Sequence, residues 1–215
     1  MVAAARTVHM AARATPAFDK IICLGKNYLE HARELGDAVP DKPVLFIKPP
    51  SSAVVCSERG GTCSVSLPRE RGTVHYECEV CLRLGPDTGI VDVSLGLDLT
   101  LRDVQAKLKK NGHSWELGKV FPDAAVLGPW VPHDSFDWMN AEFFFELDGK
   151  AVQRGRVSQQ MLAPQLALEY IRSVFPVCAH DVVMTGTPAG VGPVSPGQQG
   201  MLRWGNHLLY TVDFV

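Results

Sequence analysis

"VHYECEVCLRL", residues 74–84, is the stretch on which the reading of this chain turns. β-Branched and aromatic residues recur along it, and it is the clearest strand in the sequence. Alternate residues of a strand share a face, so Glu77 and Glu79 point the same way, with His75 beside them. Their neighbours Cys78 and Val80 leave little room for solvated charge. Burying two like charges together is costly, and a divalent cation offsets that cost. The alternative is an exposed acidic face on an edge strand. Cys78 and Cys81 form a CxxC, but their odd spacing sends the thiols to opposite faces, against a zinc or redox pair.

Downstream, the turn "GPDTG" leads into a second strand, "IVDVSLGLDLT", residues 90–100. Asp98 sits in this apolar run just ahead of the helical "LRDVQAKLKKNG", for which Gly112 is a C-terminal stop. Asp98 could cap that helix, although Thr100 is the nearer candidate. It could instead bring a third oxygen to a shared ion. Three carboxylates without a histidine pair point to Mg²⁺ or Mn²⁺ rather than zinc.

Upstream, "KIICLG" reads as a strand feeding a helix near Tyr28–Leu35 that stops at Gly36. His31 and Glu34 stand three residues apart on it and can meet on one face. A carboxylate on one ring nitrogen orients an imidazole and leaves the other nitrogen to take a proton. The pair is a surface helix contact, or a general base if a metal lies beside it. "PVLFIKPPSSAVV" is a strand halted by Pro49 and Pro50. "MNAEFFFELDGKAVQRG" is a hairpin with an Asp-Gly turn. "QQMLAPQLALEYIRSVF" is a helix started or kinked at Pro164, and "HLLYTVDFV" is a closing strand. Lys26 and Lys119 each follow a turn, either as solvated lysines or as cations beside a bound anion. The loop "MTGTPAGVG", residues 184–192, lacks the ending of a P-loop. It is either a tight turn or a set of backbone and hydroxyl donors set close to a carboxylate.

The chain has 215 residues, 46% apolar and 20% charged, with a formal net charge of −2. These values fit a soluble protein with one domain and at most a minor appendage, and the many strand-like segments with two or three helices make it α+β and β-rich. They give no reason to expect a nucleic-acid partner, and no apolar run is long enough to cross a bilayer. The six cysteines are scattered as in a reduced protein. Residues 1–18 are Ala-rich, with Arg6 and Arg13 and no acid before Asp19. They read as an extension or a mitochondrial targeting segment ahead of a catalytic domain over 19–215, so the expected compartment is cytoplasmic or mitochondrial.

"GKNYLEHAREL", "KPPSS", "VHYECEV", "LDLTLRDVQ", "GKVF" and "TGTPAGVGPV" occur in the order found in the fumarylacetoacetate hydrolase family. Over about residues 20 to 200 the chain resembles that family's short acylpyruvate hydrolase and oxaloacetate decarboxylase branch. The resemblance implies a mixed β-roll, a homodimer, a Mg²⁺ or Mn²⁺ cofactor and a small 2-oxo acid substrate. It implies Glu77, Glu79 and Asp98 as metal ligands and His31, Glu34 and Lys119 as catalytic residues. Lys26, Arg102, Gln105 and Thr187 fall on substrate-binding positions. The implied reaction is carbon–carbon hydrolysis of acylpyruvates, with decarboxylation of oxaloacetate passing through the same pyruvate enolate. Isomerisation of a dienoic 2-oxo diacid, or a non-catalytic metal-binding dimer, are the other readings. Lys26 where arginine is common, Val157 where threonine is common, a short turn between Glu79 and Asp98, and "FPDAAVLGP" after Lys119 leave the substrate open.

Overall fold

The structure, a computed structural model, describes residues 17–34, 36 and 42–215. The extension before Ala17, with its targeting reading, and Leu35 at the end of the first expected helix lie outside the described residues.

Three sheets carry the described residues. The eight-stranded sheet runs Val44–Lys48, Ile21–Gly25, Val182–Met184, Cys78–Leu84, Ile90–Asp98, Ala125–Leu127, Ala53–Val55, and Val131–Pro132 also pairs with Ile90–Asp98. A five-stranded sheet runs Lys150–Gly155, Phe143–Leu147, Gln199–Trp204, His207–Phe214, Thr62–Val65. The smallest joins Gly192–Pro193, Val74–Tyr76 and Thr100–Leu101. Both parallel and antiparallel pairings occur, as the mixed β-roll expectation requires.

The large sheet is buried on both faces. Along its central strands Ile22, Leu24, Val80, Leu82, Leu95, Leu97 and Val183 join one apolar cluster. The residues between them, Ile21, Cys23, Cys81, Val182 and Met184, join a second. Each fully buried aliphatic side chain is worth roughly 1.5–3 kcal/mol relative to exposure, so the sheet's middle is its most stable part. Double-sided burial also removes the polar alternation that marks a strand. That is why Val182–Met184, a central strand, looks like part of a turn-rich tail in the sequence. Ala125–Leu127 and Gln199–Trp204 are likewise not legible as strands.

The run 74–84 is not one strand. It breaks at Glu77 into Val74–Tyr76 and Cys78–Leu84, which belong to different sheets. Its partner breaks opposite, at Leu99, between Ile90–Asp98 and Thr100–Leu101. His75 pairs with Thr100, and Cys78 with Leu97, so one register runs through both breaks. Glu77 and Asp98 therefore face each other at the junction, where the Asp98 N–H donates to the Glu77 carbonyl at 2.9 Å. The alternation that placed Glu77 beside Glu79 survives because the register does.

The helix Arg102–Lys110 follows directly, and Gly112 beyond it takes φ +67°. Its N-cap is Leu101, so neither Asp98 nor Thr100 caps it. The Thr100 hydroxyl donates instead to the Asp98 carbonyl. The hairpin Phe143–Leu147/Lys150–Gly155 turns on Asp148 and Gly149, both at positive φ. The later helix, Pro164–Val174, starts at its proline, whose missing N–H costs nothing in the first turn. No helix among the described residues is long and apolar enough to cross a membrane.

Gly96 pairs with Glu79 across the central strands, and a Cβ there would lie 2.6 Å from both Cys81 Sγ and the Val126 carbonyl. Gly96→Ala is expected to lose about 1–3 kcal/mol of stability by overpacking, read as a lower urea midpoint at unchanged slope.

Candidate active site

The junction gathers three acids. Glu77, Glu79 and Asp98 are all buried, and one carboxylate oxygen from each lies within 4.8 Å of the others. Three cations from separate segments meet them. Lys119, at the end of the short helix Glu116–Lys119, donates to Glu77 Oε2 at 2.8 Å, Asp98 Oδ2 at 2.6 Å and Thr100 Oγ1 at 2.8 Å. Lys48, fully buried, pairs with Asp98 Oδ1 at 2.8 Å and donates to the carbonyls of Leu99, Lys119 and Ala124. Arg102 pairs with Glu77 Oε1 and donates to Gln105 Oε1 at 2.8 Å.

Charge is unevenly matched among the acids. Burial would raise the Glu77 carboxyl, but Lys119, Arg102 and His31 outweigh it and hold Glu77 well below the usual carboxylate range. Glu79 has no ion pair among the described residues; its Oε2 accepts only the Gly186 N–H, at 2.6 Å. Burial, then the charges of Asp98 and Glu77, push its carboxyl well above the ordinary value. Burial also acts to lower Lys119, but Asp98 and Glu77 outweigh it and keep the ammonium charged. Three converging oxygen donors, one lacking its own countercharge and none accompanied by sulfur or nitrogen, suit a hard dication. Mg²⁺ or Mn²⁺ fits this donor set.

His31 lies on the short helix Leu29–Glu34, and its Nδ1 is 3.2 Å from Glu34 Oε2. A carboxylate only accepts, so this contact places the ring hydrogen on Nδ1 and leaves Nε2 as the base. Burial lowers the imidazole below its ordinary value, partly offset by the charge of Glu77 and the bond to Glu34. The ring is therefore neutral near pH 7. Glu34 is itself held by the Gly190 N–H, at 3.0 Å to Oε1.

Lys26, His31, Glu77, Glu79, Asp98, Arg102, Gln105, Lys119 and Thr187 all line one cleft of about 350 Å³. Glu34 stands behind His31, outside the lining, and His75 is also outside it. The glycine-rich loop sets backbone donors close to carboxylates, as the second of its two readings has it. Its amides serve the protein's own carboxylates, Gly186 on Glu79 and Gly190 on Glu34. Thr187 reaches the cleft, but its hydroxyl hydrogen is given to the Cys78 carbonyl at 2.9 Å. Sequence reasoning missed Lys48, which "FIKPP" placed at the end of an apolar strand; a lysine in such a run was the available signal. It also missed Phe46 and Trp115, whose rings sit under the ammonium groups of Lys119 and Lys109 and form an aromatic wall of the cleft. Cys78 and Cys81 are both buried free thiols.

Comparison with known proteins fits this geometry. The family model for the Fumarylacetoacetate (FAA) hydrolase C-terminal domain matches residues 20–213. The chain is 35% identical over 204 residues to oxaloacetate tautomerase YcgM of Escherichia coli, covering 89% of this chain and 91% of that one. It is 33% identical over 190 residues to the mitochondrial oxaloacetate decarboxylase of Dictyostelium discoideum, covering 83% and 85%. Among solved structures, a fumarylpyruvate hydrolase from Pseudomonas aeruginosa in complex with Mn²⁺ and pyruvate superposes with a TM-score of 0.83 at 29% identity, over 97% of this chain and 95% of that one.

The raised carboxyl of Glu79 gives a pH dependence. A protonated Glu79 competes with a cation, so Mn²⁺ affinity is expected to fall as pH falls, with proton release on binding. Calorimetric titration in buffers of different ionisation enthalpy measures that release, and Glu79→Gln should abolish it.

Proposed function

The chain belongs to the fumarylacetoacetate hydrolase family, and from that premise we propose a divalent-metal-dependent enzyme that acts on small 2-oxo acids. The proposed reactions are cleavage of the carbon–carbon bond of acylpyruvates and decarboxylation of oxaloacetate. The observation that carries the reading is the buried trio Glu77, Glu79 and Asp98 opening onto the same cleft as a neutral histidine. Glu77, Glu79 and Asp98 would hold the ion. When bound, the ion supplies Lewis-acid polarisation of a 2-oxo acid.

The chain's own groups supply the rest. His31 Nε2 takes a proton, from water for hydrolysis or from carbon for enolisation. Glu34 fixes the ring's tautomer and stabilises the imidazolium that results. Lys119, kept cationic by its neighbours, stabilises negative charge developing on the 2-oxo oxygen as an enolate forms. Arg102, Gln105 and Lys26 bind the substrate's polar ends, while Thr187, whose hydroxyl hydrogen goes to the Cys78 carbonyl, shapes the cleft wall beside them. Phe46 and Trp115 give the cleft an aromatic wall that limits water.

A second reading is proton transfer alone, interconverting keto and enol forms without breaking a carbon–carbon bond. The likeness to the E. coli oxaloacetate tautomerase favours it, and it uses the same base. Pyruvate release separates the two: cleavage or decarboxylation yields pyruvate from acetylpyruvate or oxaloacetate, whereas tautomerisation changes only the enol absorbance. Absence of every such turnover with Mg²⁺ or Mn²⁺ would leave the non-catalytic metal-binding reading.

Glu77→Gln is expected to abolish metal-dependent turnover, and full activity in chelator-treated buffer with added Mg²⁺ would exclude this ligand set. His31→Asn should lower kcat by about 10²–10⁴ if His31 is the general base. In the wild type, kcat/KM should fall on acidification through a pKa below the usual histidine value of about 6.5, because burial disfavours the charged ring.

A further inference from the structure

We propose that Gln153 is a positioning residue that sets both glutamates of the acidic trio through the backbone of Cys78, the residue between them. The inference rests on the metal reading above. Gln153 belongs to Lys150–Gly155 in the five-stranded sheet, far along the chain from the acids, and is 2% exposed. Its Oε1 accepts the Cys78 N–H at 2.9 Å. Its Nε2 donates to Thr187 Oγ1 at 2.8 Å and to the Pro188 carbonyl at 2.9 Å. Thr187 Oγ1 closes the ring by donating to the Cys78 carbonyl at 2.9 Å.

Both peptide planes around Cys78 are pinned as a result. The plane between Glu77 and Cys78 is held at its N–H by Gln153 and at its C=O by the Asp98 N–H. The plane between Cys78 and Glu79 is held at its C=O by Thr187. Rotation of the first plane would swing Glu77, and rotation of the second would swing Glu79. One edge of this backbone is held by the ladder to Ile90–Asp98, but on the other edge Val182–Met184 pairs only as far as Cys81, so no strand holds Cys78 there. Side chains from two other segments do so, and all the polar atoms in the ring are satisfied. A glutamine suits this position because one planar amide both accepts from an N–H and donates to a hydroxyl.

The test is Mn²⁺ binding followed by electron paramagnetic resonance, with urea unfolding of the metal-free protein alongside. Gln153→Leu keeps the volume and removes all three of its hydrogen bonds. It should weaken Mn²⁺ binding at least about tenfold, as loss of an outer-shell partner does, and change the bound-ion spectrum. Leu147→Ala, on the same hairpin and touching no ligand, controls for lost stability and should leave affinity and spectrum unchanged. If Gln153→Leu does not fold, the other arm of the ring carries the test. Thr187→Val should weaken Mn²⁺ binding, and Thr187→Ser, which restores the hydroxyl, should recover it. Wild-type affinity and spectrum in folded Gln153→Leu would overturn the proposal, as would an equal loss in Leu147→Ala or no recovery in Thr187→Ser. A wild type that binds no Mn²⁺ would instead remove the metal reading, and this inference with it.

Discussion

Everything at the centre of this protein depends on placing three carboxylates out of water within a few ångströms of one another. Such a cluster is stable only if countercharge and hydrogen bonds are brought to it. The chain does this by breaking two paired strands opposite each other while keeping their register, so that Glu77 and Asp98 meet across the junction. Lys48, Arg102 and Lys119 then arrive from three further segments. Lys48 also collects the carbonyls of Leu99, Lys119 and Ala124, and so ties the strand break to the loop that follows the short helix.

The uneven neutralisation is informative. Asp98 is shared between two lysines, and Glu77 between a lysine and an arginine, while Glu79 receives a single backbone amide. Stability alone gives no reason to keep a poorly compensated acid at the heart of a buried sheet. A place for a dication does. The glycine-rich loop fits the same logic, because its amides stabilise Glu79 on one side and Glu34 on the other. One loop thereby links the cluster, through Glu34, to the proposed base His31.

The proposed site would serve several reactions because they share one demand. Hydrolysis of an acylpyruvate, decarboxylation of oxaloacetate and keto–enol exchange all develop negative charge on the oxygen of a 2-oxo acid. In the function proposed above, Lys119 and the cation site answer that demand in each case, and His31 directs the proton.

Local pattern was enough to find much of this protein. Alternation in "VHYECEVCLRL" paired Glu77 with Glu79, helical spacing paired His31 with Glu34, and an acid inside "SLGLDLTL" marked Asp98. Asp-Gly and Pro164 were legible because turn and helix-start preferences act on their immediate neighbours. Other features had no local signature. Val182–Met184 is buried on both faces and so shows no alternation, and the strand break at Glu77 arises from pairing with two different sheets. Lys48, Gln153 and the amide of Gly186 act at sequence separations of 50, 75 and 107 residues from Asp98, Cys78 and Glu79. The sequence by itself determined most of the groups proposed for the site, because side-chain type and short-range periodicity are encoded residue by residue. Only the tertiary structure decided which of them meet and how their charge is balanced, since those contacts exist only once distant strands have paired and excluded water.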